Sequence, residues 1–128
     1  MGNDTVRAPL VLLIEDDRTL SNMYSEKFRL SGIQVVTAAD GEEGLAAAKN
    51  SMPDVILLDM FLPKRHGMSV LEEMSKDNSL KAIPIIALTN MADKRNALQA
   101  QQLGVREYLV KAMSDPERVV NTVRKYCL

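Results

Sequence analysis

The run Val55-Ile56-Leu57-Leu58-Asp59 decides the fold. Its four apolar residues follow one another without polar alternation, as in a strand buried on both faces in the middle of a parallel sheet, and the run ends on an acid. Three other runs end on a loaded side chain too: Leu10 to Ile14 leads into Glu15-Asp16-Asp17, Ile85 to Leu88 into Thr89, and Leu109-Val110 into Lys111. As parallel strands, the four would bring their endings to one sheet edge. In an open parallel α/β sheet the carboxyl ends of the strands are where ligands and chemistry sit. The expected site is therefore made of carboxylates, one hydroxyl and one ammonium.

Outward from this central strand, short apolar runs alternate with longer amphipathic segments, the mark of stacked βαβ units, and five of each are expected. The first strand is Leu10 to Ile14. A helix from about Asp17 to Leu30 repeats Leu20, Met23, Tyr24 and Phe28 on one face, with Asp17 placed to cap it. Gly32 breaks that helix, and Ile33 to Ala38 form the second strand. Asp40-Gly41-Glu42-Glu43 then carries the Asp-x-x-Glu spacing that satisfies free amides at a helix start. This second helix ends near Asn50, before Pro53. A third helix covers about Met68 to Lys76, and Ile83-Pro84 leads into the fourth strand, Pro84 suiting only a strand's first residue. The fourth helix, about Ala92 to Leu103, is mostly Ala, Gln and charge and is expected to pack loosely, as a moving part would. Gly104 ends it, and Arg106 to Val110 make the fifth strand. Ser114-Asp115-Pro116-Glu117 opens a last helix carrying Val119, Val120, Val123 and Cys127.

With 128 residues, 46% of them hydrophobic, the chain fits one domain with a modest core. Residues 1 to 8 read as a solvated tail and 9 to 128 as the domain. Sixteen basic and 17 acidic residues give a formal charge of −1, so nothing advertises direct contact with nucleic acid or an anionic membrane. Cys127 is the only cysteine, which rules out an internal disulfide, and no apolar stretch approaches a membrane span. Both features point to a reducing cytoplasm.

Adjacent carboxylates at a strand end repel one another and raise each other's pKa unless a cation sits between them. A hard divalent ion is the natural neutraliser. Mg²⁺ takes oxygen ligands and keeps several waters, so a loose cluster of Glu15, Asp16 and Asp59 is adequate. Taken singly, Asp16 and Asp17 read as helix caps and Asp59 as a loop acid; their occurrence together with Thr89 and Lys111 favours a site.

These residues resemble the receiver domain of two-component response regulators over positions 9 to 127. The resemblance rests on Leu-Ile-Glu-Asp-Asp after the first strand, Leu-Leu-Asp-Met-Phe-Leu-Pro at 57 to 63, Gly67, Ala-Leu-Thr at 87 to 89, and Gly-Val-Arg-Glu-Tyr-Leu-Val-Lys at 104 to 111. It implies a doubly wound, flavodoxin-like five-stranded parallel sheet in the order 2-1-3-4-5. It also implies that Asp59 takes a phosphoryl group from a phosphohistidine on a sensor histidine kinase or histidine phosphotransfer protein. On the same resemblance, Asp16, Asp59 and the backbone carbonyl of Phe61 hold Mg²⁺, and Glu15 holds the ion through water. Lys111 pairs with a phosphoryl oxygen, the Thr89 hydroxyl donates to another, and Tyr108, the switch residue three positions before Lys111, rotates inward. The surface of the fourth helix, fifth strand and fifth helix is then reshaped for a downstream protein target, an output domain or a weak dimer. The family catalyses only its own phosphorylation and slow dephosphorylation. A stand-alone regulator, a phosphorelay shuttle and a domain of a larger chain share this chemistry.

Three departures from the family pattern stand out. Lys111 precedes Ala112 where the family usually has a cis proline, and a cis bond to a non-proline residue costs about 3 kcal/mol, so the following loop is expected to be rebuilt. Asn90 replaces the usual Ala or Ser, and its amide either narrows donor access or touches the phosphoryl group. Phe61 and Met91, flanking the acylphosphate, are bulky and apolar and should hinder the attacking water, which implies a long-lived aspartyl phosphate. His66 has no histidine partner for a metal site and receives no role, the eight methionines read as core filler, and Arg118, Arg124 and Lys125 read as a solvated face.

Rival classes fit less well. An FMN electron carrier needs a hydroxyl- and glycine-rich phosphate loop where this chain has three acids. A hydrolase of the aspartate-nucleophile class would carry its nucleophile after the first strand with another acid two residues on, which Glu15-Asp16-Asp17 does not clearly provide. A receiver-like scaffold that works without phosphorylation is the nearest alternative, kept open by Asn90 and Ala112.

Overall fold

A computed structural model describes residues 8–62, 66–90, 94–111 and 114–127. The expected tail up to residue 7, Met91 and Ala112 with its loop lie outside the described residues. Among those described, strands and helices alternate as β1 (Leu10–Ile14), α1 (Arg18–Leu30), β2 (Gln34–Ala38), α2 (Gly41–Ser51), β3 (Val55–Asp59), α3 (Gly67–Lys76), β4 (Ile85–Thr89), α4 (Lys94–Gln102), β5 (Val105–Val110) and α5 (Pro116–Lys125). The sheet is parallel throughout, in the order β2-β1-β3-β4-β5. The flavodoxin-like order expected from the sequence is therefore the one found.

Start signals do what the sequence indicates. The carboxylates of Asp17, Asp40 and Asp115 accept from the amides of Leu20, Glu43 and Arg118 at 3.0, 2.8 and 2.8 Å, each satisfying a free amide in a first helical turn. Boundaries differ in small ways with local causes. Ile33 is not in β2, because its amide is spent on Phe28 O at the end of α1. Asp59 and Thr89 belong to their strands rather than following them, which holds both in the sheet. Leu103 closes α4 by bonding Gln99 O and Ala100 O instead of continuing it, and Val105 already pairs with Ile85 in β5. Helix α5 stops at Lys125, so Cys127 lies beyond its C-cap, Tyr126.

Strict alternation along the central strands splits the core into two layers. Leu12, Ile14, Ile56, Leu58 and Ala87 point to the side covered by Leu45 of α2, Leu71 and Met74 of α3 and Ala100 of α4. Val11, Leu13, Val55, Leu57, Ile86 and Leu88 face Tyr24 and Phe28 of α1 and Val119, Val120 and Val123 of α5. Because β3 is buried on both faces along its whole length, Asp59 emerges from the best-packed strand of the sheet. Among the described residues no helix is long and apolar enough to cross a membrane.

One irregularity matters for the site. Ile85 pairs with Val105 but Ile86 pairs with Glu107, so Arg106 is taken up in a bulge, a feature uncommon between parallel strands. Val105 and Tyr108, three residues apart, consequently pack on the same side, against the layer of α2, α3 and α4, while Leu109 packs on the other. Continuing the alternation, Lys111 falls on the side of α1 and α5, as do Glu15 beyond Leu13 and Asp59 beyond Leu57.

The turn from β3 into α3 leaves no room for a side chain at Gly67: a Cβ there would lie 2.7 Å from Met60 Cα and 3.2 Å from Asp59 O. Backbone cannot yield as a side-chain tip can. Gly67→Ala is therefore expected to destabilise the protein by about 2 kcal/mol despite alanine's better helix propensity. Urea denaturation checks this, and an unchanged midpoint would show that the turn relaxes freely.

Candidate functional site

Four strand ends build the candidate site, and hydrogen bonds between neighbouring strands carry the ladder right up to it. Glu15 N donates to Ala38 O at 2.9 Å, fixing the residue after β1, and Met60 N donates to Leu88 O at 3.1 Å, fixing the residue after Asp59. Val110 sits opposite Thr89 in register, so Lys111 leaves β5 beside the end of β4. Glu15, Asp59 and Thr89 are all buried.

The three acids that run together in sequence separate in space by task. Asp17 caps α1 and gives its own amide to Glu15 Oε2 at 3.1 Å. Glu15 turns inward, and Asp16 stays exposed, its carboxylate without a hydrogen bond to any described residue. Glu15, Asp16 and Asp59 each bring one carboxylate oxygen within 4.8 Å of the others. These are hard oxygen donors of the number and spacing that suit a divalent cation such as Mg²⁺, which completes its shell with water.

Lys111 enters the same cluster from the opposite side of the sequence. Its Nζ donates to Glu15 Oε1 at 2.8 Å and to Asp59 Oδ2 at 3.3 Å, with the lysine side chain 11% exposed and those of Glu15 and Asp59 1% and 4%. The other Asp59 oxygen, Oδ1, accepts the Phe61 amide at 2.9 Å. Burial raises the Glu15 pKa, the Lys111 hydrogen bond opposes that rise, and the neighbouring Asp59 adds to it. Burial also pulls Lys111 down, but its bond to Glu15 and the charges of Asp59 and Glu15 outweigh this, so Lys111 is held protonated. Two carboxylates thus share one ammonium in a nearly dry corner, with Asp16 beside them in water.

Of the residues singled out from sequence, Glu15, Asp16, Asp59 and Lys111 are together, with differences in detail. Lys111, expected on a phosphoryl oxygen, and Glu15, expected on a water-linked ion, are bonded to each other. Phe61 offers its amide to Asp59 and is itself 44% exposed. Thr89 is fully buried at the end of β4, and Tyr108 lies half-buried opposite Ala87 on the layer facing α4. Tyr24 was missed as part of the site, since its spacing reads only as an apolar helix face. It is buried against the core, and burial raises its phenol pKa while the charges of Lys111, Glu15 and Asp59 are all felt there.

Comparison with known proteins agrees with this geometry. The family model "Response regulator receiver domain" matches residues 11–124. A probable transcriptional regulator, ycf27, of Guillardia theta is 36% identical over 107 residues, 84% of this chain and 41% of that protein. The polar-differentiation response regulator DivK of Brucella anthropi is 31% identical over 116 residues, covering 91% of this chain and 94% of that one. The solved structure of the chemotaxis protein CheY4 of Vibrio cholerae superposes with a TM-score of 0.87 at 28% identity, covering 94% of this chain and 99% of that one. The chain spans 41 to 48% of the length of the first curated relatives it matches.

If the acidic cluster takes a hard divalent ion, Mg²⁺ should stabilise the fold, by about 1.4 kcal/mol at a tenfold excess over its Kd. Thermal unfolding followed by circular dichroism should show the shift in wild type and a much smaller one in Asp16→Asn. An equal shift in both would mean the ion binds elsewhere.

Proposed function

The chain belongs to the response regulator receiver domain family, and on that footing we propose that Asp59 accepts a phosphoryl group from a phosphohistidine and that Thr89 and Tyr108 pass the change to the surface of α4, β5 and α5. The observation that carries this reading is the convergence of Asp59, Glu15, Asp16 and Lys111 at one strand edge. In the reaction, an Asp59 oxygen forms the new bond to phosphorus as the bond from phosphorus to the histidine nitrogen breaks, and the leaving imidazole keeps the electron pair. Asp16, Asp59 and the backbone carbonyl of Phe61 would hold Mg²⁺, with Glu15 in the outer shell, and the ion when bound supplies neutralisation of the phosphoryl oxygens.

The other groups act through position. The Phe61 amide orients the Asp59 carboxylate. Lys111, held protonated beside Asp59, offers N–H bonds to the charge that gathers on the transferred group. The Thr89 hydroxyl, at the end of the adjacent strand, donates to a further phosphoryl oxygen. Tyr108 lies on the layer facing α4, where Ala100 is the one buried residue among those of the helix described and Leu98 is 61% exposed, so α4 has little packing to lose when it shifts.

The donor on this reading is a sensor histidine kinase or a histidine phosphotransfer protein in the cytoplasm. The reader is a protein surface: a downstream target, an output domain or a weakly paired second copy meeting α4, β5 and α5. The protein turns over no separate substrate.

Intact mass after incubation with Mg²⁺ and either acetyl phosphate or phosphoramidate tests the central step. One phosphoryl group should be gained by wild type, none by Asp59→Asn, and none in EDTA. No gain from either donor would overturn the reading in favour of a receiver-like scaffold that works without phosphorylation. Phe61, exposed and bound to Asp59 through its amide, would offer the acyl phosphate apolar cover, so Phe61→Asn should shorten the half-life of the phosphorylated form, followed by loss of the added mass. An equal or longer half-life would show that the ring does not restrain the attacking water.

A further inference from the structure

We propose that Glu15 is the positioning residue of Lys111, the anchor that keeps the ammonium beside Asp59 throughout the reaction rather than chiefly a ligand of the metal ion. The proposal rests on the reading of Asp59 as phosphoacceptor for its consequence, and on geometry alone for the anchor itself.

The two bonds of Lys111 are unequal. At 2.8 Å the contact with Glu15 Oε1 has the length of a charge-assisted hydrogen bond, whereas the 3.3 Å contact with Asp59 Oδ2 is too long for one. Glu15 is also the firmer partner. Its side chain is 1% exposed, its second oxygen is tied to the Asp17 amide at 3.1 Å, and its own amide is tied to Ala38 O at 2.9 Å. With one oxygen on a helix start and the other on Lys111, the carboxylate has both its oxygens engaged. Asp16, by contrast, is exposed and has no hydrogen bond to a described residue.

The reach of a glutamate makes this possible. An aspartate here would end about 1.5 Å short, the length of one carbon–carbon bond, and Lys111 would be left with only its 3.3 Å contact to Asp59. That alternative would fail at the moment it was needed. As an Asp59 oxygen commits to the new bond to phosphorus, the charge that held the lysine moves outward to the phosphoryl oxygens, and a four-carbon stem with no second partner would regain rotamer freedom that must be lost again before Lys111 meets them. Glu15 takes no part in the new bond and keeps its charge, so Lys111 stays within reach. The raised pKa of Lys111, to which the Glu15 bond is the largest favourable contribution, agrees with this assignment.

Nitrogen-detected NMR of the lysine ammonium groups in the full chain, without added metal, separates the two anchors. A slowly exchanging signal absent from Lys111→Met identifies the held ammonium. It should persist in Asp59→Asn and vanish in Glu15→Asp, which keeps the charge and spares the fold. Persistence in Glu15→Asp with loss in Asp59→Asn would overturn the proposal. A second split guards against a general disturbance: in Glu15→Asp, the acetyl phosphate rate at saturating Mg²⁺ should fall about tenfold, while Mn²⁺ affinity from water-proton relaxation, to which Glu15 contributes only through water, should fall less steeply. If Mn²⁺ affinity fell as steeply as the rate, Glu15 would be a metal ligand and the proposal would fail. Wild type that showed the ammonium signal but gained no mass would sink the phosphoacceptor reading and leave the anchor standing.

Discussion

Everything at the sheet edge depends on charge that the fold takes out of water. Glu15 and Asp59 are buried side by side, and among the described residues Lys111 is the one ammonium between them. Such a cluster adds little to stability, because desolvation of the charges offsets their attraction, and removing one partner is far more costly than never having had the pair. The structure therefore has to be held by something else. That something is the pair of apolar layers on either side of β1, β3 and β4, whose strands are buried to their last residues. The carboxyl ends of those strands cannot rearrange to relieve the crowding. An unrelieved excess of negative charge, with Asp16 adding to it from the solvent side, is what suits the edge to a cation and, on the proposed function, to a phosphoryl group brought with one.

The same contrast in packing divides the molecule into a rigid half and a responsive one. On the side of α1 and α5, Phe28, Val119 and Val123 are fully buried against the sheet. On the other side α4 contributes Ala100 and leaves Leu98 in solvent. Asp59 and Lys111 belong to the rigid side and Tyr108 to the responsive one, so on the proposed reading chemistry and response are divided between opposite faces of one sheet. A shift in α4 can occur at small cost without loosening Asp59 or Lys111.

Much of this was legible in the sequence because it is written in short range. The apolar run from Val55 into Asp59 identifies a central strand, and Asp17, Asp40 and Asp115 mark helix starts by their spacing alone. What the sequence conceals is long range or lacks a residue signature. Glu15 and Lys111 are 96 positions apart, and nothing local says that the longer of two adjacent acids reaches the lysine. Tyr24 reads as one more apolar position on α1, though its phenol lies where the charges of the site are felt. The bulge at Arg106 carries no glycine to announce it. Continuous alternation through Val105-Arg106-Glu107-Tyr108 would have put Tyr108 on the wrong side of the sheet.

Beyond that bulge, the number of residues in β5 is a more rigid requirement than their composition. Each residue after Arg106 owes its side of the sheet to a count of positions from which Arg106 itself drops out. Substitutions at Arg106, an exposed position, leave the count intact. A deletion there would only absorb the bulge, leaving Glu107 opposite Ile86 and Tyr108 opposite Ala87, whereas one residue inserted after Glu107 would bring Tyr108 to the face of Asp59 and carry Lys111 away from it. In lineages descended from this chain, drift in β5 is thus open to exchange of letters, and even to loss of the bulged one, but closed to an addition beyond it.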